Sequence, residues 1–202
     1  MARPNRVSNQ PAAALDRRSA VPALIERPQD FLIVAGLAGT AQEMSAITKD
    51  APNLYALGGA MGAAPSMALG LALAQPQRRV LCITGDGELL MNVGALATIA
   101  VMAPSNFTLV CVDNGHYGET GNQDSHTGLG VRLDRIAEGA GFPLVHTIDN
   151  EDDLAEGKRL LREGEKLAFL LLRVKEGPAL QIKRNRDAAF ARTRFKAALL
   201  TG

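Results

Sequence analysis

Two stretches of this chain end an apolar run in a small polar cluster: Val80-Leu-Cys-Ile-Thr-Gly-Asp-Gly87 and Val112-Asp-Asn-Gly-His-Tyr-Gly118. The first presents a carboxylate, Asp86, on a glycine-flanked turn. The second presents an amide oxygen, Asn114, 28 residues later. A carboxylate, an amide and free backbone groups make a hard-oxygen site suited to Mg²⁺ or Ca²⁺, and Mg²⁺ typically takes few protein oxygens, the rest coming from phosphates and water. Both runs read as strands, so both clusters belong at the carboxyl end of a parallel sheet, where open α/β folds bind ligands. The expectation is a diphosphate held through a metal.

The elements that must position these clusters follow from the apolar periodicity. Helices are expected over residues 15–26, 89–102, 131–139, 151–163 and 188–200, with a small-residue helix opening at the 58–64 glycine cluster and running to 75. Strands are expected over 31–35, 53–56, 79–84, 107–112, 144–148 and 167–174. A glycine-rich turn at 36–39 leads to Thr40, which could N-cap a helix through 49. Alternating strands and helices predict an α/β fold: a doubly wound, mostly parallel sheet with helices on both faces. The one long connection, 115–130, has a length that often accompanies function. Residues 1–15 read as a flexible N-terminal arm and 16–202 as a single domain.

Composition narrows the function classes. The chain has 202 residues, 47% hydrophobic and 21% charged, with a net charge of +1. That is globular, and it lacks the basic excess a nucleic-acid or acidic-membrane partner would need. No run reaches the roughly 18 apolar residues of a membrane span, and no signal-like apolar segment opens the chain, so the expected location is cytoplasmic. Cys82 and Cys111 lie inside apolar runs without metal-ligand spacing and read as buried thiols in a reducing compartment.

Gly58-Gly-Ala-Met-Gly62 follows a strand and opens a helix, and Asp86 ends the next strand, so a dinucleotide site is one reading of these residues. The strict G-x-G-x-x-G pattern is absent. A second reading rests on resemblance. Leu69-Gly70, Pro76 and Leu81-x-Ile83-x-Gly85-Asp86-Gly87 resemble the signature of thiamine diphosphate enzymes, with Asn114 at the family's downstream asparagine. Gly59-Ala60-Met61 matches the segment that bends the cofactor, Met61 lying 25 residues before Asp86. The segments 40–44, 58–73, 86–94 and 114–128 are similar to the β-type chains of sulfopyruvate and phosphonopyruvate decarboxylases, and the resemblance runs from residue 31 to the end.

The resemblance implies thiamine diphosphate and Mg²⁺ as cofactors. It implies Asp86, Asn114 and the His116 carbonyl as metal ligands. The Gly87 and Glu88 amides, at a helix N-terminus, would serve the phosphates, as would Gly39 and Thr40 at a second one. Gly85, Tyr117 and Gly118 would complete the cofactor contacts. Met61 would act catalytically by propping the cofactor into a bent shape, for which a long, adaptable side chain is suited. The Gly59 carbonyl would accept from the pyrimidine amino group, with Ala60 between them. Glu88 departs from the family pattern, which has a small residue there; pointing outward or capping, it would avoid the diphosphate. His126 either faces substrate or is an exposed loop residue, His146 is structural, and Lys183-Arg184-Asn185-Arg186 is either a solvated linker or an anion contact.

One part is missing. Activation of the cofactor needs a carboxylate on the pyrimidine ring, which the family carries on a separate domain. A chain already used up by the diphosphate-binding domain has no room for it. The resemblance therefore implies a partner subunit with a pyrimidine-binding domain and the activating glutamate, in a hetero-oligomer. The implied activity is decarboxylation of a small 2-oxo acid to an aldehyde. A carboligase of the acetolactate-synthase type and a non-catalytic cofactor-binding subunit are the alternatives.

Overall fold

The computed structural model describes residues 13–178, 180–182, 185 and 187–200. In chain order the elements are α1 (Arg17–Ile25), a 3₁₀ turn (Pro28–Asp30), β1 (Leu32–Ala35), α2 (Ala38–Thr48), β2 (Leu54–Ala56), α3 (Ala64–Ala74), β3 (Val80–Gly85), α4 (Asp86–Leu90) and α5 (Ala95–Met102). They continue as β4 (Phe107–Asp113), β5 (His116–Tyr117), β6 (Gln123–Asp124), α6 (Leu133–Ala140), β7 (Leu144–Ile148), α7 (Glu151–Glu163), β8 (Ala168–Arg173) and α8 (Ala188–Leu200). Six strands form one sheet in the order β2-β1-β3-β4-β8-β7, with every pair parallel. The expected doubly wound sheet is therefore present. β5 and β6 make a small antiparallel hairpin inside the long 115–130 connection.

The inner strands β1, β3, β4 and β8 are apolar at nearly every position because each buries both faces, whereas the edge strands β2 and β7 are largely half-buried. Leu32, Val34, Cys82, Leu109, Cys111, Phe169 and Leu171 point to a core shared with α3, α5 and α6. Ile33, Ala35, Leu81, Ile83, Val110, Leu170 and Leu172 point to the opposite core, with α1, α2 and α7. The period-2 side-chain alternation of a strand thus divides one hydrophobic run between two cores. From β1 the chain moves outward to β2, then returns to β3 on the other side of β1. The carboxyl ends of β1 and β3 therefore diverge into a crevice at a topological switch point.

Four expectations change. The helix expected from the 58–64 cluster starts only at Ala64, since Gly62 takes φ +78° in a turn that no α-helix accommodates. The helix expected over 89–102 is two helices. Between them Met91 N bonds Glu88 O, and Leu96 N bonds Val93 O, as tight turns. Asn92 donates its side-chain amide to Gly62 O at 3.2 Å, which ties this break to the 58–63 turn. Thr40 is not an N-cap: α2 begins at Ala38, after Leu37, and the Thr40 hydroxyl donates back to Leu37 O at 2.9 Å. Finally, residues 1–12 of the expected arm lie outside the described residues, while Leu15 is packed rather than loose. It is buried, and it pairs with Val174 and accepts from Lys175 N at 2.8 Å.

Among the described residues no helix is long and apolar enough to cross a membrane. Residues 51–77 and 89–112 contain no Asp, Glu, Lys or Arg. α3 and α5, which lie in these stretches, pack side by side. Their outer surfaces and adjoining turns expose Met61, Met67, Leu73, Met91, Val101 and Met102.

Candidate cofactor site

A cavity of about 500 Å³ opens at the carboxyl ends of β1, β3 and β4. Eleven of the thirteen expected cofactor residues line it: Gly39, Thr40, Met61, Gly85, Asp86, Gly87, Glu88, Asn114, His116, Tyr117 and Gly118. Gly59 and Ala60 do not; they border a neighbouring cavity of about 380 Å³ against Tyr55 and α8. Met61 sits at the rim, 39% exposed, and so is not a core methionine.

Asp86 is the first residue of α4 and is buried. Its Oδ2 accepts from the hydroxyls of Ser125 and Thr127, the latter at 2.9 Å. No hydrogen bond among the described residues uses Oδ1, which leaves that oxygen for a ligand in the cavity. Thr127 also lies 2.7 Å from Asp113 Oδ1, and Gly115 N donates to the same oxygen at 3.0 Å. A single hydroxyl hydrogen cannot serve two carboxylates at once, so the Asp86–Asp113 pair is short of positive charge. Burial, and then the nearby Asp86 carboxylate, push Asp113 up to about 6. A cation beside Asp86 would relieve both.

β4 delivers Asn114 and His116 to the opposite wall. The Asn114 side-chain oxygen accepts from His116 N at 3.2 Å, a local turn that presents the amide at the strand end. The His116 ring folds back, with Nδ1 2.8 Å from Asn114 O and Nε2 3.4 Å from Asp124 Oδ1. A carboxylate oxygen, an amide oxygen and a backbone carbonyl are a hard-oxygen set of the kind Mg²⁺ takes. Tyr117 lies directly on Gly87: a Cβ built at Gly87 would fall 2.4 Å from Tyr117 Cε1. Glycine is required there for the ring to close over the α4 turn. The Tyr117 hydroxyl is 2.9 Å from Nδ1 of His126, which is otherwise exposed. His146 is outside the site, its Nε2 2.9 Å from Asp153 O.

Of the two roles expected for Glu88, outward-pointing or capping, the first is overturned, and the helix start it serves is that of α2 rather than its own. Its side chain is buried and turns inward against Gly36 rather than outward. Oε2 accepts from Thr84 Oγ1 at 2.8 Å and from Leu37 N at 3.0 Å. It therefore organises the entry to α2, the task assigned to Thr40 from sequence. Its other oxygen, Oε1, is buried without a partner among the described residues, and it calls for a donor from whatever fills the cavity.

Sequence reasoning missed Ser125 and Thr127, which hydrogen-bond Asp86, and Asp113, which shares Thr127 with it, and also Arg17, Gln42 and the segment from Glu176 to Pro178, which line the cavity. A Ser-x-Thr pair in the long loop and an acid beside Asn114 were the available signals. Lys183, Arg184 and Arg186 lie outside the described residues.

Comparison with known proteins bears on this geometry. The chain is 42% identical over 132 residues to sulfopyruvate decarboxylase subunit beta of Methanocaldococcus jannaschii, covering 65% of this chain and 69% of that one. It is 34% identical over 176 residues to phosphonopyruvate decarboxylase of Streptomyces viridochromogenes, covering 85% of this chain and 42% of the relative. Among solved structures, benzoylformate decarboxylase of Polynucleobacter necessarius superposes with a TM-score of 0.65 at 18% identity, over 89% of this chain and 36% of that one. At that identity the likeness speaks for the fold alone. Residues 36–171 match the thiamine pyrophosphate enzyme family, C-terminal TPP binding domain. That match runs from the end of β1 into β8 and contains Asp86, Asn114 and most of the residues that line the cavity. The chain thus belongs to the thiamine pyrophosphate enzymes, and the fold described above is their C-terminal cofactor-binding domain.

Proposed function

We propose that this chain is the β-type subunit of a two-component, thiamine diphosphate-dependent 2-oxo acid decarboxylase of the sulfopyruvate and phosphonopyruvate kind. The observation that carries the reading is the cavity at the switch point, which Asp86 with its unused Oδ1, Asn114 and His116 line together with the glycines Gly39, Gly85, Gly87 and Gly118. These residues fit a metal-bound diphosphate. Asp86, Asn114 and His116 O would hold Mg²⁺, and the 85–88 turn with Gly39 and Thr40 would hold the phosphates. Tyr117 and Gly118 would close the far wall. Met61 would support the bend of the cofactor, with the Gly59 carbonyl and Ala60 beside the pyrimidine. Bound thiamine diphosphate supplies the electron sink that lets a 2-oxo acid lose CO₂. The chain's own residues anchor it, orient it and exclude water.

The relatives named "subunit beta" imply a partner chain. In this reading the partner carries a pyrimidine-binding domain and the activating glutamate. The uncharged surface running from Met61 along α3 and α5 supports a covering subunit on that side. Residues 16–202 serve as the cofactor domain, and a cytoplasmic setting suits the free, buried Cys82 and Cys111. The experiment is a decarboxylation assay with sulfopyruvate and phosphonopyruvate. The purified chain with saturating thiamine diphosphate and Mg²⁺ should be inactive. Aldehyde should appear on adding a pyrimidine-domain chain and saturate near one-to-one. Turnover by the single chain refutes the two-component reading.

A further inference from the structure

Arg17 opens α1, upstream of the residues that match the family, yet it lines the cofactor cavity. It is 9% exposed and its guanidinium forks onto Glu43, which is 1% exposed. Nε donates to Oε1 and Nη2 to Oε2, the second at 3.3 Å, so Nη1 stays outside the fork. The head group presses on Gly39, where a built Cβ would fall 2.2 Å from Nη2 and 2.9 Å from Nη1. Gly39 lies in the first turn of the 11-residue helix α2. A cation set against the positive end of a helix is electrostatically unfavourable unless an anion joins them. Glu43 balances the charge of Arg17 and the Glu88 carboxylate meets the start of the helix at Leu37 N, while Nη1 of Arg17 has no hydrogen-bond partner among the described residues.

A second observation points to the same ligand. Gln42, also 9% exposed, lines the cavity beside Arg17, and its Oε1 is buried with no partner among the described residues. The two ends of a glutamine amide exchange by rotation about the last side-chain bond, so this orphan position accepts either a donor or an acceptor from the ligand. A buried polar end without a partner belongs to a site that a ligand completes.

We propose that Arg17 and Gln42 bind the terminal phosphate of the cofactor diphosphate, and that Glu43 is a positioning residue that locks the Arg17 guanidinium against α2. Arg17 suits the task, because its planar head can keep two donors on a carboxylate and turn another to phosphate. The inference rests on the proposed cofactor site. It adds that the segment before the family domain, tied to α2 by a buried ion pair, forms part of that site.

The test is calorimetric titration of the cofactor-free chain with thiamine diphosphate at fixed Mg²⁺, with the thermal midpoint of each apo variant as a control. Arg17→Ala strands a buried Glu43, so the primary variant is Arg17→Met with Glu43→Gln, which removes both charges together. Its affinity should fall roughly ten- to hundredfold, the scale of one charge-assisted hydrogen bond, with an apo midpoint near wild type. Gln42→Leu leaves the ion pair intact, should fold at least as well as wild type, and should weaken binding about fivefold. Glu43→Gln alone should weaken binding while steepening its dependence on ionic strength, because a freed Arg17 acts as a mobile charge. Wild-type affinity in both the double variant and Gln42→Leu refutes the inference and leaves the cofactor site standing. No binding by the wild-type chain overturns the cofactor reading itself, and this inference with it.

Discussion

Asp113→Asn separates the electrostatics of the site from its shape. The substitution keeps the acceptor oxygen that Gly115 N and Thr127 use, and removes the charge that Asp86 repels. In the folded protein Asp113 titrates near 6, against 3.8 for an ordinary aspartate. Between those two values the folded state holds more protons than the unfolded chain, so stability falls as the pH rises through the window. The full shift corresponds to about 3 kcal/mol. Between pH 5 and 7.5 the fall amounts to about 1.4 kcal/mol. Urea denaturation with chelator present, at both pH values, measures it. The advantage of Asp113→Asn over wild type should grow by about 1.4 kcal/mol from pH 5 to 7.5. Added Mg²⁺ should shrink that growth, because a cation at Asp86 lowers the cost of ionising its neighbour. A stability difference that stays constant with pH refutes the claim that Asp113 titrates in this window.

Gly87→Ala places a methyl 2.4 Å from Tyr117 Cε1. It should displace the ring, cost about 1–3 kcal/mol in stability by overpacking, and weaken Mg²⁺–thiamine diphosphate binding in calorimetry; unchanged affinity would show that the ring does not close the site. Met61→Ala removes a rim residue that is 39% exposed, so its denaturation midpoint should barely move, within about 0.5 kcal/mol. Turnover per bound cofactor in the reconstituted enzyme should drop, and wild-type turnover would dismiss the wedge role.

Much of the architecture was legible because both-face burial writes itself as continuous apolar strands, and because turns at strand ends carry glycine. Asp86 and Asn114 could be singled out from the residues themselves, since each follows an apolar strand-like run in a small polar cluster, whereas Met61 was singled out only through the resemblance. What escaped depends on contacts distant in sequence. The break between α4 and α5 carries no proline, and it is held by the Asn92–Gly62 bond 30 positions away. Glu88 looked like an outward or capping acid at its own helix start, and only the folded chain brings Thr84 and Leu37 N to it. Ser125 and Thr127 reach Asp86 across about 40 positions. Arg17 reads as one more charge on a helix until Gly39 and Glu43 are seen beside it.

The outer surface of α3, α5 and their turns also has a redox consequence. Met61, Met67, Met91 and Met102, four of the chain's six methionines, are exposed there. Thioether oxidation to the sulfoxide turns an apolar side chain polar. An unassembled subunit therefore carries its oxidisable sulfur on the surface it would present to another chain, whereas Met44 is sealed in the core. Brief peroxide treatment followed by peptide mass spectrometry would read the sulfoxide yield at these four positions as a direct measure of coverage. In the proposed assembly, a chain oxidised beforehand would carry four new dipoles on a surface whose own segments, 51–77 and 89–112, hold no charge with which to meet them.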